Sequence, residues 1–141
     1  MLKLMRLKVL DLFSGTGNIS FEFASRGVED IIAIDAHFGC IKFINQINKD
    51  FDFSIQTFKS DVFRFLNKTT TKRDIIFADP PYNLSQDDFS TIATTTFKRE
   101  LLNAEGVLII EHSKQTVLEN HPNFSYQKRY GGNVFSFFEA V

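Results

Sequence analysis

The residues best suited to chemistry stand where apolar runs stop. Asp74-Ile75-Ile76-Phe77-Ala78 leads directly into Asp79-Pro80-Pro81-Tyr82. A residue before proline avoids the helical region, so Asp79 and Pro80 are both pushed toward extended backbone. Two consecutive prolines also remove two N–H donors. The loop therefore offers acceptors, the Asp79 carboxylate and the Pro80 carbonyl, and Pro81 shapes it. Such a pair suits an exocyclic NH2 group: gripping both protons aims the nitrogen lone pair outward. Tyr82 adds a flat face on which a base can stack.

A second cluster lies upstream. Asp11-Leu12-Phe13-Ser14-Gly15-Thr16-Gly17 follows one apolar run and opens a helical one. Glycines there let the backbone turn sharply and approach a ligand, with helix N–H groups facing it. Ser20 stands where a third glycine would complete a dinucleotide fingerprint, and the loop lacks the lysine of a phosphate loop. Asp35 ends the next apolar run, where an acid can accept hydrogen bonds from both hydroxyls of a ribose. Glycine loop and acid together indicate an adenosine-containing cofactor; the Asp79–Tyr82 loop selects amine chemistry over hydride transfer.

These clusters need elements to hold them. Lys8–Phe13 and Asp30–Asp35 are expected as buried strands, joined by a helix over Asn18–Arg26 that Gly27 stops. Cys40, Phe43, Ile44, Ile47 and Phe51 recur at helical spacing. A strand near Phe53–Phe58, a short helix near Val62–Asn67 and the strand Asp74–Ala78 follow. A helical stretch then leads to Leu101-Leu102 and the strand Gly106–Glu111. Ser125–Tyr130 and Val134–Ala140, on either side of Gly131-Gly132-Asn133, suit a hairpin. Strand–helix alternation with continuous apolar strands predicts a doubly wound, mainly parallel α/β sheet with a C-terminal antiparallel hairpin. The ligand of such a sheet binds beyond the strands' carboxyl ends, which is where Ser14–Gly17, Asp35 and Asp79–Tyr82 converge.

Composition narrows the class. The chain has 141 residues, 43% of them apolar and 23% charged, which excludes a disordered chain, a collagen and a coiled coil. A single cysteine, Cys40, excludes a disulfide framework, and three histidines give no support to a metal site. No apolar run approaches the ~20 residues that span a bilayer, so no membrane is expected and the location is read as cytoplasmic. The net charge of −1 means that a nucleic-acid partner must use local patches, for which Lys72-Arg73, Lys98-Arg99 and Lys128-Arg129 are candidates. The 17 phenylalanines are read as a Phe-packed core.

V-L-D-L-F-S-G-T-G, Asp35, Ser60-Asp61-Val62 and D-P-P-Y together resemble S-adenosylmethionine-dependent amino-methyltransferases. Within them, D-L-F-S-G-T-G followed by F-E-F-A-S-R-G, and Arg129-Tyr130-Gly131 before the last strand, are similar to the small-subunit ribosomal RNA guanine-N2 methyltransferase family. The resemblance implies S-adenosyl-L-methionine as cofactor. It gives Asp11, Phe13, Gly15 and Gly17 to the methionine end, Asp35 and Ala36 to the ribose and adenine side, and Asp61 with Val62 to the adenine edge. It gives Asp79, Pro80 and Tyr82 to the target amine and base, with Pro81 shaping the loop. Glu111 and His112 are read as ordinary strand-end polar groups near the site.

Members of that family carry a basic hairpin and a helix before the first strand. Met1–Leu7 supplies neither, so the chain is expected to be one domain over 1–141 lacking that N-terminal segment. The partner expected is ribosomal RNA or the assembling small ribosomal subunit, met as a monomer. An adenine-N6 methyltransferase of DNA or RNA, and an inactive cofactor-binding fragment, are the alternatives; D-P-P-Y serves the first as well.

Overall fold

Strands buried on both faces must lie inside a sheet with helices above and below. Two such strands are β1 (Lys8–Leu12) and β2 (Asp30–Asp35), whose central residues are all buried. The computed structural model describes residues 2–141. It contains a seven-stranded sheet in the order β3-β2-β1-β4-β5-β7-β6. The remaining strands are β3 (Gln56–Lys59), β4 (Arg73–Ala78), β5 (Leu102–Ser113), β6 (Phe124–Tyr130) and β7 (Asn133–Phe138). β1 to β5 run parallel; β7 pairs antiparallel with β5, and β6 with β7. The expected doubly wound sheet with its terminal hairpin is therefore borne out. Strand order reverses between β1 and β4, which opens a crevice at their carboxyl ends.

Among the described residues five helices, α1 (Leu2–Arg6), α2 (Asn18–Ser25), α3 (Phe38–Phe51), α4 (Val62–Lys68) and α5 (Gln86–Lys98), complete the order. One face of the sheet, with Leu10, Leu12, Ile34, Ile76, Leu108 and Ile110, packs against Val62 and Leu66 of α4 and Phe89, Ile92 and Ala93 of α5. The other, with Val9, Ile31 and Ala33, packs against Ile44 of α3 and Phe21 and Phe23 of α2. Each fully buried Leu or Ile contributes ~1.5–3 kcal/mol, so the two clusters hold the crevice walls at fixed spacing. No helix among the described residues is long and apolar enough to cross a membrane.

Several sequence expectations change. Of the phenylalanines only Phe77, Phe89 and Phe138 are buried; the deep core is Leu, Ile and Val, because branched side chains fill two-sided strands better. On α3 the buried line is Ile41 and Ile44, while Phe43 and Phe51 face solvent. β3 begins at Gln56 rather than Phe53, since the Phe53 N–H closes α3 by donating to the Asn48 carbonyl. Met1 lies outside the described residues. The segment after it forms the short α1; its Leu4, and Leu7 just beyond it, pack on the α2–α3 side of the sheet.

Arg73 and Arg99, read as candidate phosphate binders, do structural work instead. The Arg73 guanidinium is buried at the opposite edge of the sheet. It donates to the Val9 carbonyl at 2.8 Å, the Asp30 carbonyl at 2.9 Å and the Asp30 carboxylate at 2.7 Å. It thereby ties β1, β2 and β4 together. Arg99 donates to the Leu66 and Thr69 carbonyls, both at 2.6 Å, and closes the end of α4. Replacing Arg73 with Ala strands a carboxylate and two carbonyls. A loss of about 3 kcal/mol is expected, the low end for a broken buried pair because Asp30 can turn to water. Urea unfolding should show a lower midpoint at unchanged slope.

Candidate functional site

The carboxyl ends of β1, β2 and β4 surround a cleft of about 550 Å³. Its walls include Asp11, Phe13, Gly15, Asp35, Ala36, Asp61, Val62, Asp79 and Pro81. The topology thus brings together nine of the twelve residues expected from the sequence. Gly17, Pro80 and Tyr82 stand behind or outside that wall.

The two glycines of the first loop have different jobs. Gly15 has φ +56°, and a Cβ built on it would meet no protein atom within 4 Å, so the space it leaves belongs to the cleft. Gly17 is buried at φ +92°, and a Cβ there would come within 2.9 Å of Ile44 and 3.1 Å of the Phe21 ring. Its missing side chain lets α2 sit down on α3. Gly17 also begins α2 without a side-chain cap, which leaves the first N–H groups of the helix facing the cleft beside Asn18 and Ile19. Phe13, the turn's first residue, holds a left-handed φ of +57° while its ring packs edge-on against Phe63. Such strain in a non-glycine residue costs ~1–3 kcal/mol and concentrates at functional sites.

Asp35 does more than await a ribose. One carboxylate oxygen accepts the Gly15 N–H and the other the His37 N–H, both at 2.8 Å. It therefore clamps the glycine loop to the end of β2, with one further lone pair on each oxygen to offer a ligand. Asp61 also has a structural task, capping α4 by accepting the Arg64 N–H at 2.9 Å, while Val62 behind it is buried.

Asp11 is the electrostatic centre. Its carboxylate is buried and accepts one side-chain hydrogen bond, from the Ser20 hydroxyl at 2.7 Å. Ser20, the residue that breaks the dinucleotide fingerprint, is Asp11's partner. Burial, reinforced by the charges of Asp79 and Asp35, pushes the Asp11 carboxyl up to about 7 despite Ser20. Burial likewise raises Asp79. Four carboxylates, Asp11, Asp35, Asp61 and Asp79, thus line one cleft whose walls, among the described residues, carry no Lys, Arg or His. No group of three or more His, Cys, Asp or Glu among the described residues is placed to hold a metal ion.

The Asp79–Tyr82 loop continues from β4. The Asp79 N–H reaches the Leu12 carbonyl of β1 at 3.4 Å, and the Pro81 carbonyl accepts the Leu84 N–H at 3.0 Å. Pro80 is buried, whereas Tyr82 is 89% exposed and stands clear of the protein as a free face. Glu111, at the end of β5, accepts from Asn133 at 2.8 Å; burial first and the nearby Asp79 charge second raise its carboxyl. It is closer to the site's electrostatics than its strand-end position suggested. His112 instead points into the core, 2.7 Å from the Ser136 hydroxyl.

A parallel sheet with this strand order and an acidic crevice at its switch point defines an α/β domain of the methyltransferase fold. The chain belongs to the family described as conserved hypothetical protein 95, which it matches over residues 2–139. Over 115 residues it is 30% identical to a protein of Bacillus subtilis strain 168, provisionally named the rRNA methyltransferase YlbH; the match covers 77% of this chain and 61% of that one. A Methanocaldococcus jannaschii protein, provisionally named the N5-glutamine methyltransferase MJ0928, is 32% identical over 80 residues, 57% of this chain and 39% of that one. The chain thus spans less than two thirds of either relative. The crystal structure of HI0767 from Haemophilus influenzae, described provisionally as a methylase, superposes with a TM-score of 0.83 at 17% identity. That superposition covers 96% of this chain and 87% of the other. The resemblance to S-adenosylmethionine-dependent methyltransferases read from the motifs is therefore borne out, and so is the fold.

Two substitutions separate the glycine roles. Gly15→Ala should cost about 1 kcal/mol of stability through its positive φ while placing a methyl group in the cleft and weakening ligand binding. Gly17→Ala should destabilise more, by ~2 kcal/mol or above, as α2 is forced off α3. Thermal melts alongside binding titrations distinguish the two. The raised Asp11 carboxyl has a signed consequence. Between its ordinary value of 3.8 and about 7 the folded chain holds a proton that the unfolded chain has released. Stability is therefore fully present below pH 4 as far as this group is concerned, and is lost as pH rises through about 7. Asp11→Asn should remove that slope and raise free-protein stability above pH 7 by ~2–4 kcal/mol, measured by denaturation across pH.

Proposed function

We propose that this chain transfers a methyl group from S-adenosyl-L-methionine to the exocyclic N2 amine of a guanine in small-subunit (16S) ribosomal RNA. The observation that carries the reading is the acidic cleft, lined by no cation among the described residues, that opens beside the Asp79-Pro80-Pro81-Tyr82 loop. Phosphate-bearing nucleotides are repelled by four carboxylates, whereas a ligand with a sulfonium and an ammonium group offsets their charge. The donor set fits that cofactor in its parts as well. The open N–H groups at the start of α2 suit the methionine carboxylate. Asp35, tied down by Gly15 and His37, suits the ribose hydroxyls, and Ala36, Asp61 and Val62 would flank the adenine. The cofactor supplies an electrophilic methyl group on sulfur when bound.

The chain's own residues deal with the nucleophile. An aryl amine is a poor one because its lone pair is delocalised into the ring. In this reading the Asp79 carboxylate and the Pro80 carbonyl accept its two protons, localise the pair and stabilise the positive charge that develops on nitrogen. Preorganised groups of this kind are worth ~3–4 kcal/mol each. Partial desolvation at the cleft raises the Asp79 carboxyl, while the residue stays open enough to meet an incoming base. Tyr82 receives the base on its exposed ring, which requires an unpaired or flipped-out nucleotide. A side-chain amide offers the same pair of protons, but it has no ring to place on Tyr82, and this favours a nucleobase. The YlbH relative's name favours ribosomal RNA. The assembling small subunit in the cytoplasm is the partner this implies, with the enzyme acting as a monomer.

The test is methylation of small ribosomal subunits, followed by mass spectrometry of the released nucleosides. N2-methylguanosine should form with the wild-type chain. Asp79→Ala should lower the rate by ~10²–10³-fold while cofactor affinity measured by calorimetry stays within about threefold, a difference below 1 kcal/mol. Appearance of N6-methyladenosine instead would transfer the reading to adenine. Equal turnover by Asp79→Ala would remove the mechanism.

A further inference from the structure

Helix α2 buries one residue completely, and that residue is a serine. A helix laid on a sheet buries apolar side chains by default, so a hydroxyl in that place needs a polar reason. A serine or threonine inside a helix can return its hydroxyl to the carbonyl one turn back. Buried Thr96 of α5 does so, donating to the Ile92 carbonyl at 2.8 Å. Ser20 reaches across instead, donating to the Asp11 Oδ2 on β1 at 2.7 Å. That length falls in the range of a hydroxyl on a charged acceptor.

The rest of Asp11's surroundings oppose its charge. Register sets it between Ala33 of β2 and Phe77 of β4, whose side chains offer no hydrogen bond. The charged groups around the cleft are acidic: Asp35 at the end of β2, Asp79 after β4 and Asp61 at the start of α4. From α2, Glu22 and Arg26 pair with each other at the surface. From α3, His37 and Cys40 adjoin Asp35 rather than Asp11. Among the described residues Ser20, through its hydroxyl and its free N–H, is the group that favours a charged Asp11 against burial and the charges of Asp79 and Asp35. The carboxylate still lines the cleft, with the lone pairs that Ser20 leaves open.

We propose that Ser20 is a positioning residue for cofactor capture: its hydroxyl holds the Asp11 carboxylate, in its charged form, under the cleft, and the ammonium group of S-adenosyl-L-methionine takes the place of a proton there. The inference rests on the S-adenosylmethionine reading of the cleft. It adds which side chain readies that cleft and what leaves when the ligand arrives. Where Asp11 is protonated, binding breaks the carboxyl O–H bond and the proton passes to solvent. The ammonium keeps its own protons and donates them to the carboxylate. Where Asp11 is already charged, nothing is released. Burial and the neighbouring acids put the changeover at about 7. Loss of the Ser20 hydroxyl moves it upward, because the charged form is the one that loses a donor.

The experiment is calorimetric titration of the full chain with S-adenosylmethionine, S-adenosylhomocysteine and methylthioadenosine. It spans about pH 5.5 to 7.5, below the ~7.7–8.0 at which an α-amine loses its own proton. Repeating each titration in buffers of different ionisation enthalpy counts the protons released. At about pH 6 the two ligands with an amino-acid end should each release close to one proton, and methylthioadenosine, which lacks that end, none. Affinity for the first two should rise about tenfold or more across the range. Ser20→Ala should move that profile up by about one pH unit and weaken both ligands ~5–10-fold at about pH 6.5, with methylthioadenosine unaffected. A mere packing defect would weaken all three ligands alike at every pH. Asp11→Asn should bind without proton release. Carbon-13 NMR of the Asp11 carboxyl in the free wild-type chain should show the same changeover with no variant needed. Binding by the wild-type chain with no proton release and no pH dependence, or an unshifted profile in Ser20→Ala, would overturn the proposal and leave the cofactor reading standing. Release with S-adenosylmethionine but not with S-adenosylhomocysteine would set the sulfonium against Asp11 and overturn the ammonium assignment. No binding of S-adenosylmethionine at any pH would sink the cofactor reading as well.

Discussion

A buried carboxylate that meets no cationic partner among the described residues governs this structure. Asp11 sits on the central strand with one serine hydroxyl for company, and three further aspartates share the same cleft. Removing a carboxylate from water is costly unless opposite charge is near, and here burial keeps the group half-neutral around pH 7. Such an arrangement lowers the stability of the free protein. It is retained where a ligand offsets the charge, which is the usual relation between a functional site and stability. The acidic cleft, the strained Phe13 and the uncapped start of α2 all become reasonable together once a small cationic ligand is placed among them.

Positioning follows from topology. Parallel strands β1, β2 and β4 deliver three loops to one edge, and backbone bonds stitch them: Ser14 N–H to the Ile34 carbonyl at 2.9 Å, Asp79 N–H to the Leu12 carbonyl at 3.4 Å. Asp35 adds the third stitch through its side chain. The site therefore inherits its geometry from the sheet. At the other edge Arg73 bridges the same three strands, so both ends of the crevice-forming unit are pinned.

The fold and most of the site were legible in the chain because their signals are local. Continuous apolar runs announce two-sided strands, and Gly15, Asp35 and Asp79-Pro80 stand at the ends of those runs. What escaped depends on contacts distant in sequence. Helical spacing alone could not say whether Ile41 or Phe43 of α3 faces the sheet, since both fit a stripe. Arg73 reads as an exposed basic residue beside Lys72, and only the meeting of β1 and β2 beneath it makes it a core residue. Asp11 reads as a ligand-facing acid, but its missing counter-charge becomes visible only when Asp35, Asp61 and Asp79 fall around it.

Membership of the conserved hypothetical protein 95 family and the likeness to methylase structures supply the frame; the charge of the cleft supplies the chemistry. The most direct test is calorimetric titration of the chain at neutral pH with S-adenosylmethionine and, separately, with ATP and NAD. One saturable site for the sulfonium nucleoside, with no heat from either phosphate nucleotide, is the result predicted. Equal binding of ATP or NAD, or none of S-adenosylmethionine, would contradict the assignment of that cleft to a cationic methyl donor.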